Sequence, residues 1–158
     1  MSTRLHVVPA ARTGAPPVPQ AVVLSTALWI GAILAGFTEA LVRLAGPLPP
    51  GGAELAGRAV VYLVLGVLVL QLRTGRDTYR WTVVGVLGVL GTASLVVGPL
   101  RALAAGGSAT AFLATATGPE VVAAGLRTLH VAEVLAAVGL LFGPAARAFF
   151  GGTATQYS

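Results

Sequence analysis

The stretch GLRTLHVAEVLAAVGLLFGP, residues 125–144, sets Arg127, His130 and Glu133 within two helical turns of an otherwise apolar run. An imidazole three residues before a carboxylate shares its helical face, where the two can hydrogen-bond, and a histidine can carry a proton near neutral pH. Earlier in the chain Glu39 and Arg43 stand four apart in the order that favours an intrahelical ion pair. These positions draw notice because charge is scarce, at 9% of 158 residues.

A soluble domain carries about a quarter charged residues, whereas this chain is 56% hydrophobic. A water-soluble core of this size could not hide so much apolar surface, so lipid is the expected solvent. With no cysteine, disulfides and thiolate metal sites are excluded. The net charge of +5 would point to nucleic acid in a soluble protein. Here the basic residues gather at the ends of apolar runs, which predicts orientation in a bilayer and no nucleic-acid partner. All ten basic residues are arginine, in a chain rich in Ala, Gly, Val and Leu; this suggests a GC-rich bacterial gene and a multi-pass protein of the bacterial plasma membrane.

About 20 helical residues cross a bilayer core of about 30 Å, and four runs reach that length: 22–44, 55–72, 81–100 and 121–142. The fold class expected is all-α, a polytopic membrane four-helix bundle occupying residues 21–150, with tails at 1–20 and 151–158. The prolines and glycines of GPLPPGG (46–52) end the first span. In RTGRDTYR (73–80), Gly75 suits a helix C-cap and Asp77 an N-cap. The small-residue stretch AAGGSATAFLATATGP (104–119) reads as a loop. Its end, Thr117-Gly118-Pro119-Glu120, has the form of a capping box with proline in the first turn. Arg4, Arg12, Arg73, Arg76, Arg80 and Arg147 fall on one side, which the positive-inside rule assigns to the cytoplasm together with both termini. Tyr79, Trp81, Phe149 and Phe150 lie at that same interface, as an aromatic belt would. The first span is read as an uncleaved helix, being too long for a signal peptide.

At about 1.5 Å per residue, Glu39 lies about 8 Å below the outer end of the first span, Arg127 about 10 Å below that of the fourth, and His130 about 15 Å. Glu39 and Arg127 thus share a level, as do Arg43 and Glu120 at the rim, and two ion pairs are expected if the helices are neighbours. Tyr62, Thr92 and Ser94 reach the deeper level from the second and third spans. A lone charge near mid-membrane costs about 2.5–3.5 kcal/mol, so such groups turn inward and find partners. The expected cavity is lined by Glu39, Arg127, His130, Glu133 and Tyr62, beneath a rim of Arg43, Arg58, Arg101 and Glu120. Structural alternatives stand beside each: Glu120 as a helix cap, Glu39 pairing with Arg43, and Arg58 and Arg101 snorkelling to headgroups. For His130 and Glu133 the alternative is a satisfied structural pair.

Small residues at Ala32 and Gly36, and at Gly85, Gly88, Gly91, Ser94 and Gly98, suit close helix approach in lipid, within one bundle or along a homodimer seam. A bis-histidine haem is excluded, since His130 alone lies in a span. Neither a nucleophile triad nor metal-ligand spacing is present, so no metal, cofactor or catalytic residue is assigned. An enzyme is disfavoured. The segments RTGRDTYRW and LHVAEVLAAVGLLFGPAARAFF resemble small four-helix membrane proteins of actinobacteria, a group with no agreed activity, so the resemblance implies the architecture and transfers no site. Small multidrug transporters also place a carboxylate in the first of four helices, but Glu39 sits toward the outer end. The function expected is binding or an accessory-subunit role, through an outward-facing polar cavity that receives a lipid-like or small organic ligand. Besides the lipid bilayer, a larger membrane complex or a homodimer is the expected partner. The alternative is a small-molecule or proton-coupled transporter.

Overall fold

The computed structural model describes residues 17–46 and 51–152; the expectations for Arg4, Arg12, the tails at 1–16 and 153–158, and most of the first connector lie outside them. Every regular element among the described residues is helical. Four stretches are long and apolar enough to cross a membrane: Gln20–Ala45, Gly52–Thr74, Asp77–Ala104 and Gly118–Leu141. They extend the sequence-derived runs because the polar ends, Asp77 among them, also take helical backbone. The protein is a membrane protein built on four apolar helices.

The first stretch is α1 (Gln20–Val42), which starts as the extended backbone of Pro19 gives way to helix and ends in a single 3₁₀ turn, Arg43–Ala45. The second, α2 (Gly52–Leu70), also closes in a 3₁₀ turn, Gln71–Thr74. Gly75 follows at φ 76°, a left-handed cap that a side chain would strain. The helix beyond begins at Asp77, so Arg76 and not Asp77 occupies the N-cap.

The third stretch is divided. Seven residues of α3 (Asp77–Val83) lead into a π-helical segment, Val84–Gly91, and then into α4 (Thr92–Ala104). The wide π turn re-aims the chain, and Pro99 inside α4 removes one backbone donor. The small-residue connector is not all loop, for it contains α5 (Ala109–Thr115), whose first turn is capped by the Ser108 hydroxyl accepting from the Ala111 amide at 3.0 Å. The last two helices are α6 (Gly118–Leu141) and α7 (Pro144–Gly152).

The closest packing joins α1 and α6, which run antiparallel: Ser25 opposes Ala137, Gly31 opposes Glu133, Gly36 opposes His130 and Glu39 opposes Arg127. A buried Ser25 hydroxyl donates to the Ala137 carbonyl at 2.8 Å, an interhelical bond of the kind that substitutes for apolar driving force in lipid. Around this pair Val22, Trp29, Leu72, Val83, Val134, Leu141 and Phe150 form the buried apolar core. Most of it lies toward one end, where Arg73, Arg76, Arg80 and Arg147 also sit; this is the basic end. At the opposite end α4 and α5 bury nothing, and leucines such as Leu63 and Leu90 face outward along α2 and the third stretch, at 71% and 67% exposure.

Of the small residues in the third stretch, Gly88 alone meets other helices: a Cβ there would lie 3.5 Å from Trp29 and 3.6 Å from Val138, while Gly85 and Gly98 face open space. The three-residue rhythm is therefore not a continuous packing seam within the chain. Nor are the aromatics a simple belt. Arg80, 12% exposed at its side chain, forms an ion pair with Asp77 at 2.6 Å and lies over the rings of Trp81, Phe142 and Phe150 at 5.4, 5.3 and 5.2 Å. Phe150 is buried beneath it. This clasp ties α3 to the end of α6 and to α7 by cation–π attraction and charge pairing.

Candidate polar site between the first and last long helices

Glu39 reaches across from α1 to Arg127 of α6, and the two form an ion pair that is also a hydrogen bond from the guanidinium Nη2 to carboxylate Oε1. The Glu39 side chain is 7% exposed and that of Arg127 31%, so the carboxylate is enclosed while the guanidinium opens outward. Arg127 Nε, buried, has no hydrogen-bond partner. The level matching follows from the antiparallel register, which puts the last turn of α1 against the third turn of α6.

The rim does not form the second ion pair expected from the sequence. Glu120 Oε2 instead accepts from the backbone N–H and hydroxyl of Thr117, both at 2.8 Å. This helix-capping arrangement uses an orphan donor at the N-terminus and sets a negative charge against the positive end of the dipole. Arg43 pairs with neither Glu120 nor Glu39, since it lies beyond the α-helical part of α1, in the 3₁₀ turn. Among the described residues no carboxylate lies within ion-pairing distance of it. Arg58 bonds Glu54, one turn earlier, at 2.8 and 3.1 Å, a partner the sequence reading overlooked although the i, i+4 spacing signalled it. Arg101 is exposed and forms no ion pair among the described residues.

Between the rim and the Glu39–Arg127 pair lies a cleft of ≈ 260 Å³. Arg43, Glu120 and Arg127 are its polar lining, and Phe112, Ala123 and Ala124 contribute apolar lining. Phe112 belongs to α5, so the segment read as loop supplies a wall of the site.

Deeper in, two glycines of α1 receive side chains of α6. A Cβ on Gly36 would fall 3.4 Å from His130 Nδ1 and 3.2 Å from the Tyr62 hydroxyl, and one on Gly31 would fall 2.6 Å from Glu133 Oε1. Tyr62, edge-on to Phe37 at 6.1 Å, thus joins His130 at one notch. The expected His130–Glu133 hydrogen bond is not made: His130 Nδ1 and Glu133 Oε2 are both buried without a partner. Each points into its own glycine notch rather than along the helix face toward the other. Trp29 Nε1 and Thr92 Oγ1 are likewise buried and unpartnered. The Ser94 hydroxyl turns back to the Gly91 carbonyl at 2.6 Å and takes no part. Sequence reading missed Gly31 and Trp29; the signal for Gly31 was available in the register, once Gly36 is set against His130.

Among the described residues no group of three or more metal-ligating side chains converges. The geometry offers ion pairing and hydrogen bonding between α1 and α6. Compared with known protein families, with curated proteins and with solved structures, the chain matches none of them.

Proposed function

We propose that this is a multi-pass protein of the bacterial plasma membrane, a four-helix bundle with cytoplasmic termini. Its outward-facing cleft binds a small amphiphile, a lipid-like or small organic molecule, in a receptor or accessory-subunit role. The observation that carries the reading is the mixed lining of the cleft: the guanidiniums of Arg43 and Arg127, and the Glu120 carboxylate already engaged by Thr117, beside Phe112 and two alanines. Such a surface suits a ligand with a polar or anionic head and an apolar body, because charged groups orient the head while aromatic and aliphatic contacts supply burial. The Glu39 carboxylate, held by Arg127, fixes the floor of the cleft and is already neutralised, which suits architecture better than exchange of a transported proton. The resemblance of RTGRDTYRW and of the closing helix to actinobacterial membrane proteins is consistent with this location.

The test is purification in mild detergent followed by mass spectrometry of co-purifying small molecules, lipids and proteins. An amphiphile retained by the wild type and depleted at least several-fold by Arg43→Ala or Phe112→Ala supports the reading. Equal retention in all three proteins would remove the cleft from it.

A further inference from the structure

We infer that His130 and Glu133 form a buried proton-binding site, in which the pair carries one exchangeable proton inside the membrane. This site lies deeper than the cleft and is independent of what the cleft binds.

Charge counting supplies the first part of the case for it. From α1 the interior receives Glu39 and the Trp29 indole; from α6 it receives Arg127, His130 and Glu133. From α2 comes the Tyr62 phenol, with Arg58 beyond it engaged by Glu54. The third stretch contributes only the Thr92 hydroxyl, its charged residues, Asp77, Arg80 and Arg101, lying near its two ends. Glu39 and Arg127 cancel one another. Among the described residues Glu133 then has no cation of its own, while the nearest titratable base on its helix is His130, which also faces Glu39 and the Ala32 carbonyl. An uncompensated charge is strongly disfavoured in apolar surroundings. One bound proton makes the set neutral, whether it rides on Glu133 as the carboxylic acid or on His130 as the imidazolium beside the carboxylate.

Geometry supplies the second part. Glu133 lies about 20 Å along α6 from Glu120 at its start, and about 12 Å from its other end, so neither headgroup region is within reach. The two atoms able to take the proton, His130 Nδ1 and Glu133 Oε2, are the ones left without partners. Both lie at positions on α1 where glycine leaves space. Thr92, one turn beyond Gly88 of the third stretch, falls at about the level of Glu133 by helical rise. Unsatisfied buried polar atoms of this density are where internal water is found. In the exchange step a hydronium in the cleft gives its proton to a water near Arg127, and that protonated water passes a proton on to the Nδ1 or Oε2 lone pair, each donor ending as neutral water. One N–H or O–H bond forms as one O–H bond breaks, with no change of oxidation state.

The experiment uses the whole protein in lipid nanodiscs, titrated from about pH 4 to pH 9 to span carboxyl and imidazole groups, with infrared detection of the carboxylic-acid carbonyl and parallel counting of protons taken up. Wild type is expected to show a titrating carboxylic-acid band. Glu133→Gln should lose it, and His130→Gln should shift its midpoint. The double variant should take up one proton fewer than wild type. Identical bands in wild type and Glu133→Gln, or equal uptake in wild type and the double variant, would overturn the site. Should those variants fail to fold, His6→Gln leaves His130 as the single imidazole, and nitrogen NMR of that protein reads its state directly. A permanently neutral His130 beside a permanently ionised Glu133 would be equally fatal. Ligand retention in the cleft, measured on the same samples, keeps the two readings separable.

Discussion

Arg127 is the one charged group that belongs to both the cleft and the interior, and its value to the fold differs from what a count of ion pairs would give. Removing a partner from an enclosed pair leaves the other charge stranded, a loss of about 3–5 kcal/mol when burial is complete. Here the guanidinium is 31% exposed, so water and headgroups recover part of that. For Arg127→Leu, which strands Glu39, a loss of roughly 2 kcal/mol is expected. Glu39→Leu leaves the more exposed partner behind and should cost less. The double variant, with no charge left to strand, should recover most of the loss, since apolar replacement of a pair is often nearly neutral. Unfolding midpoints in mixed micelles measure all three. A double variant as unstable as the summed singles would mean zero coupling, so that the two charges contribute independently and the contact is not what stabilises either. The partnership itself could be read from depth and scarcity of charge. The capping box of Thr117 and Glu120 was legible too, and the i, i+4 spacing of Glu54 and Arg58 signalled their pair, whereas the unpaired state of Arg43 among the described residues was decided by a local change to 3₁₀ backbone.

At the scale of elements, the distance between α1 and α6 depends on two missing side chains. A Cβ on Gly31 would lie 2.6 Å from Glu133 Oε1 and 3.1 Å from its Cδ, closer than real atoms approach, so the carboxylate or the helix must move. Gly31→Ala is expected to cost about 1–3 kcal/mol, the usual range for overpacking. Adding Glu133→Ala should restore stability, because the atoms in conflict are gone. Gly139 on α6 faces open space, and Gly139→Ala should be neutral or slightly stabilising through helix propensity of up to about 1 kcal/mol. Thermal unfolding in detergent distinguishes these outcomes; equal losses at Gly31 and Gly139 would show that glycine matters for backbone reasons alone. The four long helices were legible because twenty apolar residues have few alternatives in lipid. Three features were not. The π segment at Val84–Gly91 and the helix Ala109–Thr115 are settled by backbone hydrogen bonding in stretches of small residues with little periodic pattern. The aromatic clasp on Arg80 depends on α7 folding back against α3, a long-range contact that local sequence does not encode.

Across the whole molecule, charge divides the two ends unequally in kind. At one end Arg73, Arg76, Arg80 and Arg147 cluster with aromatics; at the other Arg43, Arg58 and Arg101 share the surface with Glu54 and Glu120. Translocation is impeded by short loops rich in arginine, so the basic end should stay in the cytoplasm and the cleft should open outward. The chain contains no cysteine, which makes the expectation simple to examine, since any single introduced thiol is the only one present. Ala105 in the turn after α4 and Ala145 in α7 are both exposed and lie at opposite ends. In intact cells a membrane-impermeant maleimide is expected to label Ala105→Cys, whereas Ala145→Cys should react only after the membrane is opened. The reverse pattern would turn the cleft toward the cytoplasm, so that its ligand and any proton reaching His130 and Glu133 would come from inside the cell. Labelling of both in intact cells would mean that the apolar helices do not cross the bilayer, and the neutrality argument for a bound proton would fail with them, because it needs hydrocarbon around the interior charges.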